Sequence, residues 1–243
     1  MTTTAILLAA GSGSRMQGSV VDKVLAPLNG KTVFTHSIHA FLAAACVDQF
    51  TIVYRDASQH SELQQDLASI DLKGTTVTWV IGGKERQDSV LNALEQQPQP
   101  CQYVYIHDCA RPLISPDSIR QLDAALKKDK AVVLAHPVAD TIKRIPADKQ
   151  TQNVLLEDLD RTRLWAMETP QGFEYALILE AYQHVKTEHL SITDDTAAAA
   201  SIGIHSTLVH NPLPNPKITT PKDLQFAEWL CQQSAHSKSV TPL

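Results

Sequence analysis

The chain has few of the features that bind structural metals, cross membranes or attract polyanions over a whole surface. Its four cysteines among 243 residues are scattered, which argues against a zinc site and a disulfide framework. The apolar run from Ala5 to Ala10 is too short for a signal peptide or a membrane span. With 21 basic and 26 acidic side chains the net charge is −5, so no global basic field attracts nucleic acid. We therefore expect a cytoplasmic protein without nucleic-acid or membrane partners, which binds any polyanionic ligand at a local cationic site.

The composition is that of an ordinary globular protein. Hydrophobic residues make up 43% and charged residues 19%, which does not fit a disordered or fibrous chain. Folds of the α/β class reach ~250 residues as one unit, and we find no internal repeat or interdomain linker. We expect a single domain over residues 1–233, with an inserted arm at about 138–160 and a tail at 234–243.

Short apolar runs alternate with helical patterns along the chain, which predicts a mostly parallel sheet covered on both faces. The predicted strands are Thr4–Leu8, Phe50–Tyr54, Thr76–Ile81, Tyr103–Ile106, Ala131–Ala135 and Thr207–His210. The predicted helices are Thr32–Ala45, His60–Ile70, Gln87–Leu94, one after Ser115, Tyr175–Val185, one opening at Thr193-Asp-Asp195, and one from Thr220 to about Gln233. Ser115 and Thr220 each precede a proline and an acid, the pattern of a capped helix start. Between Val138 and Thr169 the alternation breaks, and we expect an excursion from the core.

The first strand leads directly into a glycine loop, Ala9-Ala-Gly-Ser-Gly-Ser-Arg-Met16. Ligands of parallel sheets bind beyond the carboxyl ends of strands, and Gly11 and Gly13 let the backbone approach a phosphate. Arg15 and Lys23 are two cations able to neutralise a phosphate chain. From this loop alone, a plain turn with solvated cations is an equally good interpretation.

Two common nucleotide motifs are disfavoured at this loop. Met16 stands where a dinucleotide-binding fingerprint needs a third glycine or alanine. Ser19-Val20 stand where a P-loop needs lysine followed by serine or threonine.

Two further strand ends supply polar residues. Asp108 follows an apolar strand and suits Mg²⁺, which proteins bind through one or two carboxylates plus substrate phosphates; Arg111 would face the same phosphates. We expect the neighbouring His107 to be a packed histidine, since strand alternation turns it away from Asp108.

After another strand, Gly82-Gly-Lys-Glu-Arg-Gln-Asp-Ser89 opens a helix whose amides could receive a phosphate or a base edge. Together these ends favour a nucleoside triphosphate with a metal.

Seven motifs follow one another along nearly the whole chain. They are the glycine loop with Lys23, Gly82-Gly…Glu85-Arg-x-Asp-Ser89, His107-Asp-Cys-Ala-Arg-Pro112, Asp140-Thr-Ile-Lys143, Asp160-Arg161…Leu164-Trp165…Thr169-Pro-Gln171, Ile192-Thr-Asp194 and Lys217-Ile-Thr219. In this order the motifs resemble those of the 2-C-methyl-D-erythritol 4-phosphate cytidylyltransferase family. The resemblance implies a three-layer nucleotidyltransferase (Rossmann-like) fold with a mostly parallel, mixed sheet. It also implies a homodimer in which the arm embraces the partner subunit.

The resemblance further implies a reaction and residue roles. CTP and the alcohol phosphate would give the CDP-linked alcohol and pyrophosphate, with Mg²⁺ as cofactor, in non-mevalonate isoprenoid precursor synthesis. The implied positions are Arg15 and Lys23 for catalysis; Ala9, Ala10, Gly82 and Ser89 for the cytosine and ribose; Lys217 for the phosphates; Asp108 for Mg²⁺; and Arg111, Thr141, Arg161, Thr169 and Thr193 for the alcohol phosphate.

The sequence departs from the family pattern at four points. Asp22-Lys23-Val24 replaces Pro-Lys-Gln, with Lys31 as a distant alternative to Lys23, and the loop from Arg15 is one residue longer. Lys84 replaces an acid and is expected on the surface, while Cys109 replaces an alanine and is expected to be buried.

The longer loop resembles that of ribitol 5-phosphate cytidylyltransferase, which leaves a second acceptor open. Asp22 would place an anion at the position from which pyrophosphate departs. The chain could therefore also be a catalytically inactive relative that binds CTP.

Overall fold

The structure, a computed structural model, describes residues 2–11, 13, 16, 22–98, 100–147 and 151–239, with side chains up to residue 233. Its strands are β1 (Thr3–Leu8), β2 (Pro27–Leu28), β3 (Lys31–Thr32), β4 (Gln49–Tyr54), β5 (Thr76–Ile81), β6 (Tyr103–Asp108), β7 (Ala131–Pro137), β8 (Lys143–Arg144), β9 (Glu157–Asp158), β10 (Trp165–Glu174) and β11 (Thr207–His210). Its α-helices are α1 (Val33–Ala44), α2 (Ala57–Ala68), α3 (Arg86–Glu95), α4 (Pro116–Leu126), α5 (Tyr175–Thr187), α6 (Asp195–Ser201) and α7 (Pro221–Ser239). None of the helices in this described part is long and apolar enough to cross a membrane.

A seven-stranded sheet in the order β11-β7-β10-β6-β1-β4-β5 forms the centre of the fold. Strand β10 runs antiparallel to both of its neighbours, and the other pairs are parallel. Leu7 of β1 belongs to the core cluster that contains Phe41 of α1, whereas Ile6 belongs to the cluster on the opposite face with Leu94 of α3. The predicted three-layer fold with a mostly parallel, mixed sheet is therefore confirmed.

The parallel order places the ends of four neighbouring strands at one edge of the sheet. Leu8 of β1 is in register with Asp108 of β6, and Tyr54 of β4 with Ile81 of β5. The loops that follow these residues hold the predicted phosphate and metal positions. The fold thus brings together segments that are far apart in the sequence.

Strand β10 corrects the prediction that the chain stays away from the core as far as Thr169. The strand begins at Trp165, and its register shifts between Met167 and Gln171. The intervening Glu168 is 2% exposed and accepts hydrogen bonds from side chains of other loops. A strand with buried, satisfied polar residues lacks the hydrophobic alternation by which strands are predicted.

The arm at about residues 138–160 has little regular structure among its described residues. Strands β8 and β9 pair with each other, supported by ion pairs of Lys143 with Asp158 and of Arg144 with Glu157. Leu155 in the arm is 93% exposed. The assignment of one domain with an inserted arm stays a prediction.

The two predicted helix starts are confirmed, and the cap is shown for Ser115, but the predicted end of the last helix is wrong. The Ser115 hydroxyl accepts a hydrogen bond from the Ser118 amide at 3.0 Å, and α4 begins at Pro116, directly after Ser115. Helix α7 begins at Pro221 as predicted, but it continues to Ser239 rather than ending near Gln233.

We expect Ser115→Ala to lower the free energy of unfolding by about 1 kcal/mol, because the substitution removes the acceptor for an amide at the start of α4. Urea titration followed by circular dichroism measures this. Ser61→Ala, at an exposed position inside α2, is the control and should be neutral or slightly stabilising, since alanine is the better helix former. Equal effects of the two substitutions would contradict the capping role.

Candidate active site

A cavity of about 420 Å³ lies at the carboxyl edge of the sheet. Ala10 and Gly11 line it after β1, Ser89 lines it from α3, and Asp108 lines it at the end of β6. Lys217 completes the wall from the C-terminal segment. The cavity therefore joins most of the positions predicted for the nucleotide and the metal.

The turn after β5 forms one wall through close backbone approach. The Gly82 amide donates to the Tyr54 carbonyl at 2.7 Å, and a Cβ at Gly82 would lie 2.7 Å from the Ala10 Cβ, so only glycine fits. The Ser89 hydroxyl accepts from the Gly83 amide at 3.0 Å and shapes this turn. Ala9, in contrast, is fully buried beneath the cavity.

The glycine loop is described in part. Gly13 has a φ of 62°, a left-handed conformation that suits glycine, and its carbonyl accepts from the Met16 amide at 2.8 Å. Arg15 lies outside the described residues. The Lys23 side chain crosses the loop, with its Nζ 3.5 Å from the position of a Cβ on Gly11. Lys23 lines the cavity.

Asp22 does not present a bare anion next to this lysine. Its carboxylate is only 4% exposed and accepts from Arg55 Nη1 at 3.0 Å and from Gln59 Nε2 at 2.6 Å. Its other oxygen accepts from the Val24 amide at 3.0 Å. The observation that favoured an inactive relative is therefore removed, because the charge of Asp22 is paired and buried.

Asp108 is held between two cations at the cavity. Lys217 Nζ lies 2.5 Å from its Oδ2, and Arg86 Nε lies 3.2 Å from its Oδ1. Burial by itself would raise the pKa of Asp108, but Arg86, Lys217 and Arg111 together lower this pKa well below its usual range. Asp108 is therefore an anion at all pH values near neutrality.

Arg86 is a site residue to which the sequence analysis assigned no role. Its two terminal nitrogens lie 2.8 Å from the two carboxylate oxygens of Asp195, which is fully buried. Tyr182 donates its hydroxyl hydrogen to Asp195 at 2.5 Å. Although burial opposes it, the charges of Asp195 and Asp108 raise the pKa of Arg86 above its usual value. Arg86 is thus a permanently charged and rigidly held cation.

The sequence shows the motif around Arg86 but gives no sign of the residue that pairs with it. Its partner Asp195 is 109 positions away and appeared in the sequence as one of two acids at a helix start. The structure separates the two acids, since Asp194 caps α6 through the Ala197 amide while Asp195 turns inward to Arg86.

The positions predicted for the alcohol phosphate fall into two groups. Arg111 and Thr169 lie beside Asp108: Thr169 Oγ1 accepts from the Asp108 amide at 3.0 Å, and Arg111 lines a second cavity of about 430 Å³. Arg111 Nε is buried and has no hydrogen-bond partner within the described part of the chain. The remaining three, which are exposed and do not line the main cavity, are Thr141, Arg161 and Thr193.

The predictions for three neighbouring side chains are confirmed. His107 is fully buried, packs edge-to-face on Phe41 and hydrogen-bonds to Thr169, and burial lowers the pKa of His107 to about 3. Cys109 is fully buried, and Lys84 is exposed.

The donor set fits a metal that arrives with a phosphate ligand. The described residues contain no group of three or more His, Cys, Asp or Glu side chains that could hold a metal by themselves. Asp108 offers one carboxylate beside open cavity space, and proteins bind Mg²⁺ through one or two carboxylates plus substrate phosphates.

Comparison with known proteins agrees with this architecture. The family model described as "IspD: 2-C-methyl-D-erythritol 4-phosphate cytidylyltransferase" matches residues 3–233. The chain is 34% identical to the enzyme of that name from Synechococcus elongatus, over 97% of this chain and 98% of the relative. It is 36% identical to the one from Alkaliphilus oremlandii, over 93% of each chain.

Two solved structures with names of the same kind are similar to the chain over nearly its whole length. The 4-diphosphocytidyl-2C-methyl-D-erythritol synthase of Anaerococcus prevotii superposes with a TM-score of 0.82 at 26% identity, over 95% of this chain and 98% of the other. The 2-C-methyl-D-erythritol 4-phosphate cytidylyltransferase of Francisella tularensis superposes with a TM-score of 0.76 at 28% identity, over 94% and 99%. The chain belongs to the 2-C-methyl-D-erythritol 4-phosphate cytidylyltransferase family and is a nucleotidyltransferase.

Proposed function

We propose that the chain transfers the cytidylyl group of CTP to 2-C-methyl-D-erythritol 4-phosphate and releases pyrophosphate, a step of non-mevalonate isoprenoid precursor synthesis. The observation that supports it best is the cavity that is lined by glycine turns, by the cations Lys23, Arg86 and Lys217, and by Asp108. The four cysteines, all of which the structure describes, form no disulfide, in keeping with a cytoplasmic location.

The reaction needs positioned charge rather than a general base. A non-bridging oxygen of the acceptor phosphate bonds to the α-phosphorus of CTP, while the bond from this phosphorus to the oxygen bridging to the β-phosphate breaks. The electron pair of that bond leaves with pyrophosphate. A phosphate monoester with a second pKa near ~6 is already anionic at neutral pH, so the obstacle is repulsion between two anions. Fixed cations that stabilise the growing charge lower such a barrier.

Four of the charged residues that line the cavity have a role in this scheme, namely Lys23, Lys217, Asp108 and Arg86. Lys23, with Arg15, stabilises the charge that moves onto the departing pyrophosphate, and Lys217 binds the phosphates from the opposite wall. Asp108 would hold Mg²⁺, which neutralises phosphate charge when bound. Arg86 keeps Asp108 oriented through their 3.2 Å contact. Arg111 and Thr169, which lie beside Asp108, would receive the acceptor phosphate.

The arm supports a homodimer. Apolar side chains of the arm are exposed, with Leu155 at 93%, Leu156 at 48% and Ile145 at 41%. Exposed apolar clusters are typical of surfaces that are covered by a partner. A twofold dimer would cover both arms and would bring Thr141 and Arg161 to the neighbouring active site.

We expect CTP, Mg²⁺ and 2-C-methyl-D-erythritol 4-phosphate to yield pyrophosphate and a CDP-linked product, detected by a coupled pyrophosphate assay and mass spectrometry. Ribitol 5-phosphate is the comparison acceptor, because the glycine loop is one residue longer than the family pattern. Turnover of ribitol 5-phosphate alone would replace the proposed acceptor. The absence of turnover with both would favour a CTP-binding protein without activity.

We expect Lys23→Ala and Arg15→Ala each to lower kcat by on the order of 10²–10³, the usual loss when one preorganised charge stabiliser is removed. The KM for CTP should change less, because these contacts strengthen mainly in the transition state. Lys31→Ala, at an exposed position of β3, is the matched control and should keep normal turnover. Loss of activity in Lys31→Ala but not in Lys23→Ala would transfer the role to Lys31.

We expect Thr141 of the arm to contribute to the active site of the opposite subunit. Lys23→Ala removes one catalytic cation from the active site. Thr141→Glu introduces an anion where the acceptor phosphate would bind. If Thr141 serves the opposite subunit, a mixture of the two inactive proteins regains part of the activity, because some heterodimers contain one intact composite site. An inactive mixture, after subunit exchange is verified by native mass spectrometry, would show that each site is built within one subunit.

A further inference from the structure

Three residues next to the catalytic lysine form a hydrogen-bonded cluster to which the proposed reaction assigns no role. They are Asp22, Arg55 and Gln59, which we name the Asp22 clamp. Asp22 and Gln59 are buried, whereas the Arg55 side chain is 33% exposed and lines the main cavity. Asp22 precedes Lys23 in the chain, Arg55 follows β4, and Gln59 lies in the first turns of α2. The clamp therefore joins the lysine segment to two fixed elements of the fold.

Gln59 is the centre of the clamp. It is 1% exposed, and its Nε2 donates both to Asp22 Oδ2 at 2.6 Å and to the Ala9 carbonyl at 3.0 Å. Its Oε1 accepts from the Arg55 amide at 2.6 Å. One buried side chain thus ties together the ends of β1 and β4 and the carboxylate beside Lys23. Because it is buried, Gln59 makes no direct contact with a ligand in the cavity.

The clamp restrains Lys23 on both sides. Asp22 is anchored by Gln59 and Arg55, and its Oδ1 reaches over Lys23 to accept from the Val24 amide. The Val24 carbonyl accepts from the Phe34 amide at 2.8 Å, which fixes the following residue to α1. The backbone of Lys23 is held between these anchors.

We propose that the Asp22 clamp positions Lys23 for catalysis, with Gln59 and Asp22 as positioning residues that set the place of its ammonium group over Gly11. The inference rests on the proposed role of Lys23. The clamp replaces, with hydrogen bonds, the restriction that a proline before the lysine would impose on the backbone. Arg55 pairs with Asp22 and also with Asp56, which offsets the charge of Asp22 at the wall where pyrophosphate would leave.

A double-mutant cycle tests this mechanism. We expect Gln59→Leu to lower kcat by on the order of 10², the loss that a misplacement of about 1 Å can cause, with a much smaller change in the KM for CTP. In the Lys23→Ala background, Gln59→Leu should lower kcat no further, because the two residues act as one unit. Equal losses in both backgrounds would overturn the proposal, as would normal turnover of Gln59→Leu.

Gln97→Leu is the matched control. Gln97 is also a buried glutamine, bonded to Thr51 at 3.1 Å and to the Ala93 carbonyl at 2.7 Å, but it contacts β4 away from the cavity edge. Its loss should lower stability without lowering kcat. Equal losses of kcat in Gln59→Leu and Gln97→Leu would reduce the clamp to a general structural role and overturn the proposal.

Asp22→Asn provides a second variant if Gln59→Leu fails to fold. The substitution keeps the shape of the side chain but replaces one carboxylate oxygen by an NH₂ group. In one orientation this group faces the Val24 amide, and in the other it faces Arg55 and Gln59, so at least one hydrogen bond to Asp22 is lost. We expect a loss of kcat that again disappears in the Lys23→Ala background. A loss that persists in that background, or normal turnover, would overturn the proposal.

A readout without turnover separates failure of the clamp from failure of the proposed reaction. Limited acetylation of the folded protein, followed by mass spectrometry, measures the reactivity of each lysine. Asp22→Asn should change the acetylation rate of Lys23 relative to that of Lys31, even if the chain uses another acceptor. An unchanged ratio would overturn the clamp and leave the reaction untouched, whereas normal turnover of Lys23→Ala would overturn the role of Lys23 and the clamp with it.

Discussion

The pairing of buried carboxylates with cations at the sheet edge is the constraint on which the rest of the site depends. A chain with a net charge of −5 has to bind a triphosphate and a second phosphate. It does so by fixing cations on buried acids: Asp195 holds Arg86 through two 2.8 Å contacts, and Asp108 lies between Arg86 and Lys217. Charges held in this way need little reorganisation when negative charge develops on a ligand.

The same arrangement explains why so many polar side chains are buried next to the site. Glu168 is 2% exposed, and it accepts from Asn211 at 2.8 Å and from Asn215 at 2.7 Å. The Asn215 carbonyl in turn accepts from Arg111. These hydrogen bonds fix the geometry of the loops around Glu168, although the buried Arg111 Nε and Asn215 Oδ1 have no hydrogen-bond partner in the described part of the chain. Strand β10 therefore lacks hydrophobic alternation where it supports Asn215, which is hydrogen-bonded to both Arg111 and Thr169.

Sequence patterns predicted what is local and missed what is formed by long-range pairing. The strand Thr76–Ile81 and the start of α4 followed from apolar runs and from a serine before a proline, and both are present in the structure. Strand β10 was missed because three of the residues that it buries, Glu168, Thr169 and Gln171, are polar. Arg86 received no role because its partner Asp195 is 109 positions away, and no periodicity or spacing rule connects two residues at that separation. Asp22 was interpreted as a disturbing anion because Gln59 and Arg55 could not be placed beside it.

The family motifs indicate which residues lie at this site, whereas the local hydrogen bonds determine how the segment that carries Lys23 is held. The motifs place Lys23 and Asp108 at one cavity, yet the segment that presents Lys23 differs from the family pattern at Asp22 and in loop length. A reaction that depends on charge position tolerates such a change only if another restraint fixes the lysine. The bonds of Asp22 to Gln59 and to the Val24 amide are restraints of that kind, formed by side chains instead of a proline ring. With the proposed role of Lys23, Asp22 in place of the family proline is compatible with the same chemistry, because the position of the ammonium group, rather than the identity of the preceding residue, would determine the stabilisation of the leaving group.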